Sequence, residues 1–386
     1  MRKGAGHLFL RRLLCFLSAA FAVFAFCGCS KENSTDVYVD NTGSNSWACE
    51  NVQTPNSKIT DSAQACIVYC ADNCRVLYGH DIHEKRPIAS ITKIMTAIIC
   101  LEYAAANDKA VRITEQMYAE GSSMYLKAGE IIRLSELVKG MLAVSGNDAA
   151  NAAAIAVAGS KEAFAELMNQ KAADLGMKNT HFVTPSGLDD SQHYSSAYDM
   201  ALLCSYAMEK ESFCSIVSEQ NLIAEYIYPE GKTQHLHNHN RLLSVCPGCI
   251  GIKTGFTKKA GRTLTSCAER DGIRLVAVTL DDGNDWQDHC SLYDNCFKLV
   301  KKVMLCSTDE KITVPLVGGT EKMIKLVPER ELYAVVETNE KEQPDKVISV
   351  PGFIYAPAVK GRRYGKIEFR QNGRIIASCR LVSEKK

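Results

Sequence analysis

Apolar residues recur with helical spacing in the middle of the chain. The stretch 91–106 places its largest apolar residues on one helical face, namely Ile91, Ile94, Met95, Ile98 and Ile99. The stretches 134–142 and 161–175 show similar spacing. Side chains three and four positions apart share a helical face, so this pattern predicts three amphipathic helices.

Strand patterns lie on both sides of these helices. Residues 65–69 and 75–78 flank Asp72 and Asn73, which predicts a hairpin of two strands. Strand patterns return near Leu264 and at 273–280. Strands at both ends with helices between them predict an α/β domain whose first and last strands share one sheet.

After about Cys306 the pattern changes to short β-rich runs broken by Gly, Pro and charged turns. Examples are 333–337, 346–350 and 374–382. These runs predict a small all-β domain at the C-terminal end.

The first residues follow the order of an export signal. An apolar run at 13–26, short for a stable membrane span, follows four basic residues, Arg2, Lys3, Arg11 and Arg12. It ends in Phe26-Cys27-Gly28-Cys29-Ser30, which resembles a bacterial lipoprotein box with Cys29 as the lipidated residue. Lipidation, simple cleavage and an uncleaved anchor all stay open.

The pattern divides the chain into four parts. An export signal at 1–29 is followed by a flexible linker at 30–58, rich in Ser, Asn and Thr. The α/β domain is expected at 59–305 and the β-rich domain at 306–386. A chain of 386 residues is long enough for two such domains.

Composition and charge exclude several classes of protein. The chain is 46% hydrophobic and 23% charged, as in ordinary globular proteins, which argues against wholesale disorder and a polytopic membrane protein. With 45 basic and 44 acidic residues, the chain lacks the excess of positive charge that is typical of proteins that bind nucleic acid. Membrane contact is expected only through the N-terminal segment or a lipid. The 17 cysteines follow no regular framework, so disulfides and reduced buried thiols both stay open.

Ser90-Ile91-Thr92-Lys93 is the first candidate for chemistry, at the start of the first amphipathic helix. Positions i and i+3 share a helical face, so the Lys93 amine can reach the Ser90 hydroxyl and take its proton. The positive end of the helix dipole would lie beside Ser90, where an oxyanion develops. Alone, the four-residue pattern is weak, because a chance match is expected in a chain of this length.

Two further motifs follow. Ser145-Gly146-Asn147 can present a hydroxyl and an amide to one cleft across a tight turn, although a simple helix cap is the usual explanation. Lys253-Thr254-Gly255 lies in a strand pattern whose glycines admit the close approach of a peptide at the strand edge. A lone triplet of this kind is usually a turn.

The three motifs together, in this order, resemble those of the serine penicillin-binding enzymes and class A β-lactamases. The surrounding residues are similar to the low-molecular-mass D-alanyl-D-alanine carboxypeptidases over about 62–306. The stretches that carry this similarity are Ala89-Ser90-Ile91-Thr92-Lys93-Ile94-Met95-Thr96, His181-Phe182-Val183-Thr184-Pro185-Ser186-Gly187-Leu188-Asp189 and Tyr198-Asp199-Met200-Ala201. The β-rich tail is similar to the C-terminal domain of that family.

The resemblance implies a β-lactamase/transpeptidase-like domain, with an antiparallel sheet, flanking helices and a helical subdomain, followed by a small all-β domain. It implies a serine DD-peptidase that removes the terminal D-alanine from peptidoglycan stem peptides and is acylated by β-lactams. It requires no cofactor or metal.

The resemblance also assigns roles. Ser90 is the nucleophile, Lys93 the general base and Ser145 the proton relay to the leaving amine. The substrate-binding residues are Asn147, Lys253, Thr254, Gly255 and Phe256, with the oxyanion hole formed by the N–H groups of Ser90 and Phe256.

Particular residues bear on the rival interpretations. A class A β-lactamase needs a glutamate in the stretch 182–194, which contains Asp189 and Asp190 but no Glu. A DD-transpeptidase or endopeptidase uses the same residues, and an inactive wall scaffold would have lost some of them. A zinc site at His235, His237 and His239 is disfavoured, because the segment from Asn238 resembles an ordinary part of the family that leads to the Lys-Thr-Gly strand. Cys246 and Cys249 have no second pair at zinc-ribbon spacing, so a local disulfide and two free thiols both stay open.

Overall fold

The computed structural model describes residues 59–339, 343–371 and 373–384, so the predicted export signal and linker lie outside the described residues. The strands up to residue 280 are β1 (Ala65–Cys70), β2 (Arg75–His80), β3 (Ala110–Arg112), β4 (Ile131–Arg133), β5 (Asn221–Tyr228), β6 (Thr233–His237), β7 (Cys249–Thr257), β8 (Gly261–Arg270) and β9 (Ile273–Leu280). The helices are α1 (Lys93–Ala106), α2 (Leu134–Ala143), α3 (Asn147–Ala158), α4 (Lys161–Asp174), α5 (Ala197–Ala207), α6 (Glu211–Val217), α7 (Leu242–Val245) and α8 (Asp285–Cys296).

An antiparallel sheet in the order β2-β1-β9-β8-β7 forms the centre of the α/β domain. β1 pairs with β2 on one side and with β9 on the other, where Ala65 lies opposite Leu280. The prediction that the first and last strands of this domain share a sheet is confirmed. β7 is a terminal strand, paired only with β8 within this sheet.

Both faces of the central sheet are buried, as β1 illustrates. Ala65, Ile67 and Tyr69 point into the large core formed with the helices, whereas their neighbours in β1 point into a second core with α8. Successive strand residues face opposite sides of a sheet, so a strand covered on both faces has no exposed polar positions. This explains why β1 is buried along its whole length.

Helix α1 is the central helix of the large core. It begins at Lys93, later than the periodicity predicts, because Ala89–Thr92 form a tighter 3-10 turn that starts with Ala89 at φ +49°. The stretch Ala89–Ala106 is long and apolar enough to cross a membrane. Its Ile and Met side chains nevertheless pack inside the domain, where they form the core with α2 and α3.

A helical subdomain completes the α/β domain. It contains α2, α3 and α4 together with a small sheet in the order β3-β4-β5-β6. The helices predicted at 134–142 and 161–175 correspond to α2 and α4 and are confirmed.

The C-terminal part is all β, as predicted. Its strands are β10 (Val300–Cys306), β11 (Ile312–Val317), β12 (Met323–Pro328), β13 (Leu332–Glu337), β14 (Asp345–Ser349), β15 (Ile354–Tyr355), β16 (Arg363–Gln371) and β17 (Arg374–Ser383). They form a sheet in the order β14-β16-β17-β12-β11-β15 around its own apolar core, and a β10-β13 pair. β10 runs through the expected domain boundary at 305/306, which stays a prediction.

The loop at 181–194 packs tightly against the start of α1. Gly187 has φ +81°, and a Cβ atom there would overlap the carbonyl oxygen of Ala89. A glycine is needed at this position both for its backbone conformation and for the close approach.

A second tight arrangement joins the segment before β1 to α8. The Ser62 hydroxyl lies 2.6 Å from Asp282 Oδ1 and 2.8 Å from Asp288 Oδ2. Asp282 is fully buried, and its Oδ2 atom has no hydrogen-bond partner among the described residues. Burial raises the pKa of the Asp282 carboxyl from 3.8 to about 6.

We expect Asp282→Asn to stabilise the protein at neutral pH. The raised pKa means that the folded state disfavours the carboxylate, so wild-type stability falls as the pH rises from about 4 through about 6. The variant should therefore have the higher thermal midpoint at about pH 8, with a smaller difference at about pH 4. The control is Asp281→Asn at a half-exposed neighbour, and equal pH profiles for wild type and Asp282→Asn would contradict the prediction.

We expect Gly187→Ala to destabilise the fold more than Gly176→Ala does. Both glycines have positive φ, but a Cβ at Gly176 would meet nothing within 4 Å. The control therefore isolates the cost of left-handed backbone, about 1–2 kcal/mol. At about 2–4 °C per kcal/mol, thermal unfolding can separate the two variants. Equal thermal midpoints for the two variants would show that the overlap with Ala89 does not lower the stability of the fold.

Candidate active site

Ser90 lies in the 3-10 turn Ala89–Thr92, immediately before α1. Residues three apart are eclipsed in a 3-10 turn, which brings the Lys93 side chain to the Ser90 hydroxyl. The distance from Lys93 Nζ to Ser90 Oγ is 2.8 Å. The proximity predicted from the Ser-x-x-Lys spacing is therefore present, through a tighter turn than the α-helix expected.

The Lys93 side chain is fully buried, and its amine forms hydrogen bonds with three segments of the chain. Besides Ser90, its Nζ lies 2.7 Å from Asn147 Oδ1 and 2.7 Å from the Ser186 carbonyl oxygen. Burial lowers the pKa of Lys93 well below its ordinary value, and the charge of Lys253 lowers it further. The carboxylate of Asp148 acts in the opposite direction.

This arrangement suits a neutral amine that faces a hydroxyl. A neutral amine has two N–H donors and one lone pair, and both the Asn147 amide oxygen and the Ser186 carbonyl oxygen can only accept. Once these two acceptors take the N–H groups, the lone pair is left for the Ser90 O–H. Lys93 is thus placed to accept the Ser90 proton.

Ser145 and Asn147 lie at the junction of α2 and α3. Ser145 has φ +60°, and Asn147 is the first residue of α3. The Asn147 amide is held between Lys93 and the Glu120 carbonyl oxygen, 2.6 Å from Nδ2, so it does not act as the helix cap that was the alternative explanation. None of the hydrogen bonds made by the described residues involves the Ser145 hydroxyl.

Strand β7 carries Lys253, Thr254 and Gly255 past Ser90. A Cβ atom at Gly255 would lie 3.0 Å from the Ser90 backbone nitrogen. The missing side chain lets β7 come this close to the start of α1, whereas the predicted approach of a peptide at the strand edge stays a prediction. Phe256 follows with 65% of its side chain exposed.

Lys253 is a buried basic residue. Its side chain is 1% exposed, and Nζ donates to the Thr254 carbonyl oxygen at 2.9 Å. Burial lowers the pKa of Lys253 to about 7. Part of this energetic penalty would be relieved by an anion bound beside the amine.

Several residues that support the site were missed by the sequence interpretation. Buried His193 accepts from the Val183 N–H through Nδ1 at 3.0 Å, so its other nitrogen can donate to Thr92 Oγ1 at 2.8 Å. Burial lowers the pKa of His193 to about 4, which favours this neutral form. His193 fixes the loop that supplies the Ser186 carbonyl. The family-like stretch 181–189 contains Ser186 without indicating this role, and no motif marks His193.

The possible metal ligands do not converge. His235 and His237 lie exposed on β6, while Cys246 and Cys249 are free thiols. Within the described ranges, no group of three or more His, Cys, Asp or Glu side chains could hold a metal ion. All thirteen cysteines of these ranges are free.

Comparison with known proteins gives two family matches. Residues 51–284 match the model described as D-alanyl-D-alanine carboxypeptidase, and residues 301–386 match the model of the penicillin-binding protein 5 C-terminal domain. The second match agrees with the separate β sheet at this end of the chain.

Individual proteins agree with these matches. The D-alanyl-D-alanine carboxypeptidase DacF of Bacillus subtilis is 30% identical, over 85% of this chain and 86% of the relative. The crystal structure of DacD from Francisella tularensis is 25% identical, with a TM-score of 0.62 over 89% of this chain and 98% of that one. A mutant of the Streptomyces K15 DD-transpeptidase is 27% identical, with a TM-score of 0.60 over 63% of this chain and 100% of that one. With a catalytic-domain match over more than half of its length, this chain belongs to the D-alanyl-D-alanine carboxypeptidase family of serine penicillin-binding enzymes.

Proposed function

We propose that this protein removes the terminal D-alanine from peptidoglycan stem peptides through an acyl-enzyme formed on Ser90, and that β-lactams acylate the same serine. The observation that carries the proposal is the buried Lys93 amine, 2.8 Å from the Ser90 hydroxyl, with its lowered pKa. A buried amine whose pKa is lowered in this way gives up its proton more readily than an ordinary lysine, so it can act as the base that activates a serine without a histidine.

In this mechanism Lys93 takes the proton of the Ser90 hydroxyl. The Ser90 oxygen then attacks the carbonyl carbon of the peptide bond between the two D-alanines. The N–H groups of Ser90 and Phe256 stabilise the oxyanion, and Ser145 passes a proton to the leaving amine. D-alanine departs when the peptide C–N bond breaks. Water then attacks the ester carbonyl, which frees Ser90 and leaves the shortened peptide.

The terminal carboxylate of the substrate would be bound by Lys253 and Thr254. Nζ of Lys253 has one hydrogen bond in the described part of the chain, to the Thr254 carbonyl. A substrate carboxylate supplies the missing counter-charge and favours protonation of Lys253. The open edge of β7, with Gly255 beside Ser90, allows the peptide to pair as an added strand, while Asn147 orients the acyl half.

A DD-transpeptidase is the alternative, because an amine can replace water as the acceptor of the acyl group. The similarity to the Streptomyces K15 enzyme supports testing this outcome. A class A β-lactamase is less well supported, since the loop at 181–194 contains no Glu, and Asp189 accepts a hydrogen bond from Thr257 at 2.7 Å.

The reaction would take place outside the cytoplasm. Residues 1–29 are proposed to direct export, and 30–58 to tether the domains at 59–305 and 306–386 to the membrane. Lipidation of Cys29 would supply a membrane anchor.

Ser90→Ala is expected to abolish both D-alanine release from a stem pentapeptide and the mass increase on incubation with penicillin. The control is Ser215→Ala, which removes an exposed hydroxyl from α6 and should leave both signals unchanged. Free D-alanine is assayed enzymatically, and acylation by intact mass. Acylation of wild type without release would indicate a transpeptidase, and activity in Ser90→Ala would reject this nucleophile.

Cys29→Ser is expected to prevent incorporation of a labelled fatty acid by cells that express the full chain, and to shift the protein from the membrane to the soluble fraction. Cys27→Ser, two residues earlier, is the control and should keep the label. A wild-type chain that takes up no label would leave cleavage or an uncleaved anchor as the form of export.

A further inference from the structure

The loop at 118–127 lies directly beside Asn147, and apart from the Glu120 carbonyl that holds the Asn147 amide it has no role in the mechanism above. We propose that it binds the residues on the acyl side of D-Ala-D-Ala, with Tyr125 as the determinant of preference for a full stem peptide. This inference rests on the proposed function, because it assigns a place to the other half of the same substrate.

The loop is joined to the site through backbone contacts. The Glu120 carbonyl oxygen accepts from Asn147 Nδ2 at 2.6 Å, and a Cβ atom at Gly121 would lie 3.0 Å from the same nitrogen. In the mechanism above, Asn147 orients the acyl half of the substrate. A peptide that extends away from Ser90 past Asn147 therefore meets this loop next.

Buried Asp148 holds the loop in place. One of its oxygens accepts from the Met124 N–H at 2.8 Å, and the other from the Leu126 N–H at 3.0 Å and the Ser123 hydroxyl at 2.7 Å. The Tyr125 N–H donates to Ser123 Oγ at 2.8 Å. Three successive N–H groups are thus fixed, so the loop is preorganised and a ligand need not order it.

Because the loop is anchored in this way, one aromatic ring points outward into the solvent. Met124 and Leu126 are buried, while Tyr125 between them has φ +58° and is 79% exposed. A non-glycine residue in left-handed conformation stores strain that the surrounding structure must offset, and such residues cluster at functional sites. A large exposed ring on a rigid loop offers apolar area at low entropic cost.

The exposed ring borders an open, solvent-facing cavity of about 510 Å³. Its lining includes Tyr118, Gly121, Ser123, Tyr125 and Lys127. The two tyrosine rings suit the aliphatic part of a long side chain, and the Lys127 ammonium suits a carboxylate. A stem peptide offers both groups on the acyl side of D-Ala-D-Ala.

The test compares two substrates with the whole protein, a stem pentapeptide and N-acetyl-D-alanyl-D-alanine. Tyr125→Ala is expected to lower kcat/KM for the pentapeptide about tenfold, or about 1.4 kcal/mol. For the dipeptide, which cannot reach the cavity, we expect a change of less than about twofold. Tyr125→Phe keeps the ring and should retain the wild-type preference.

Tyr355→Ala is the matched control, because it removes a ring that is 70% exposed on the C-terminal sheet and should change neither value. Equal losses on both substrates, or none on either, would overturn the role of Tyr125. Release of D-alanine from neither substrate by wild type would overturn the proposed function and this inference with it, so the two failures can be told apart.

Discussion

The buried Lys93 amine joins three segments that are far apart in sequence. Its hydrogen bonds reach the turn before α1, the first residue of α3 and the loop that contains Ser186. A buried amine without partners would be costly, so these three hydrogen-bond partners must be held in place by the rest of the domain. The large core around α1 and the loop that packs at Gly187 both serve this requirement.

The second constraint is the close approach of β7 to the start of α1. Gly255 leaves room beside the Ser90 backbone nitrogen, and the Thr263 hydroxyl on β8 donates to the Ile88 carbonyl at 3.0 Å. The sheet and the first helix are therefore fixed relative to each other at Ser90. The proposed oxyanion site needs this rigidity, because its N–H groups must already point at the developing charge.

Two loops next to Lys93 and Asn147 are held in a similar way. His193 fixes the loop on one side of Lys93, and Asp148 fixes the loop at 118–127 on the other. Each is a buried polar group that meets backbone N–H groups, so each would leave unsatisfied donors if removed. Asp148 also raises the pKa of Lys93, which links the rigidity of this loop to the electrostatics of the base.

Local patterns in the sequence predicted the elements and the ordered motifs. The helical spacing from 91 onward, the strand pairs at both ends of the domain and the Ser90–Lys93 contact depend on residues close together in the chain. The resemblance carried by Ser145, Asn147 and Lys253 then implied the fold and the reaction. The predicted start of the first helix was too early, because periodicity does not distinguish a 3-10 turn from an α-helix.

Tertiary structure decided the rest. Lys93 meets Asn147 and Ser186 across 54 and 93 residues, and the Ser186 contribution is a backbone carbonyl, which every residue has. The lowered pKa of Lys93 and Lys253 comes mainly from burial by segments distant in the chain. Sequence by itself names the reacting groups, because chemistry depends on residue type. Only the folded chain sets their protonation, because that depends on how much water and charge remain around them.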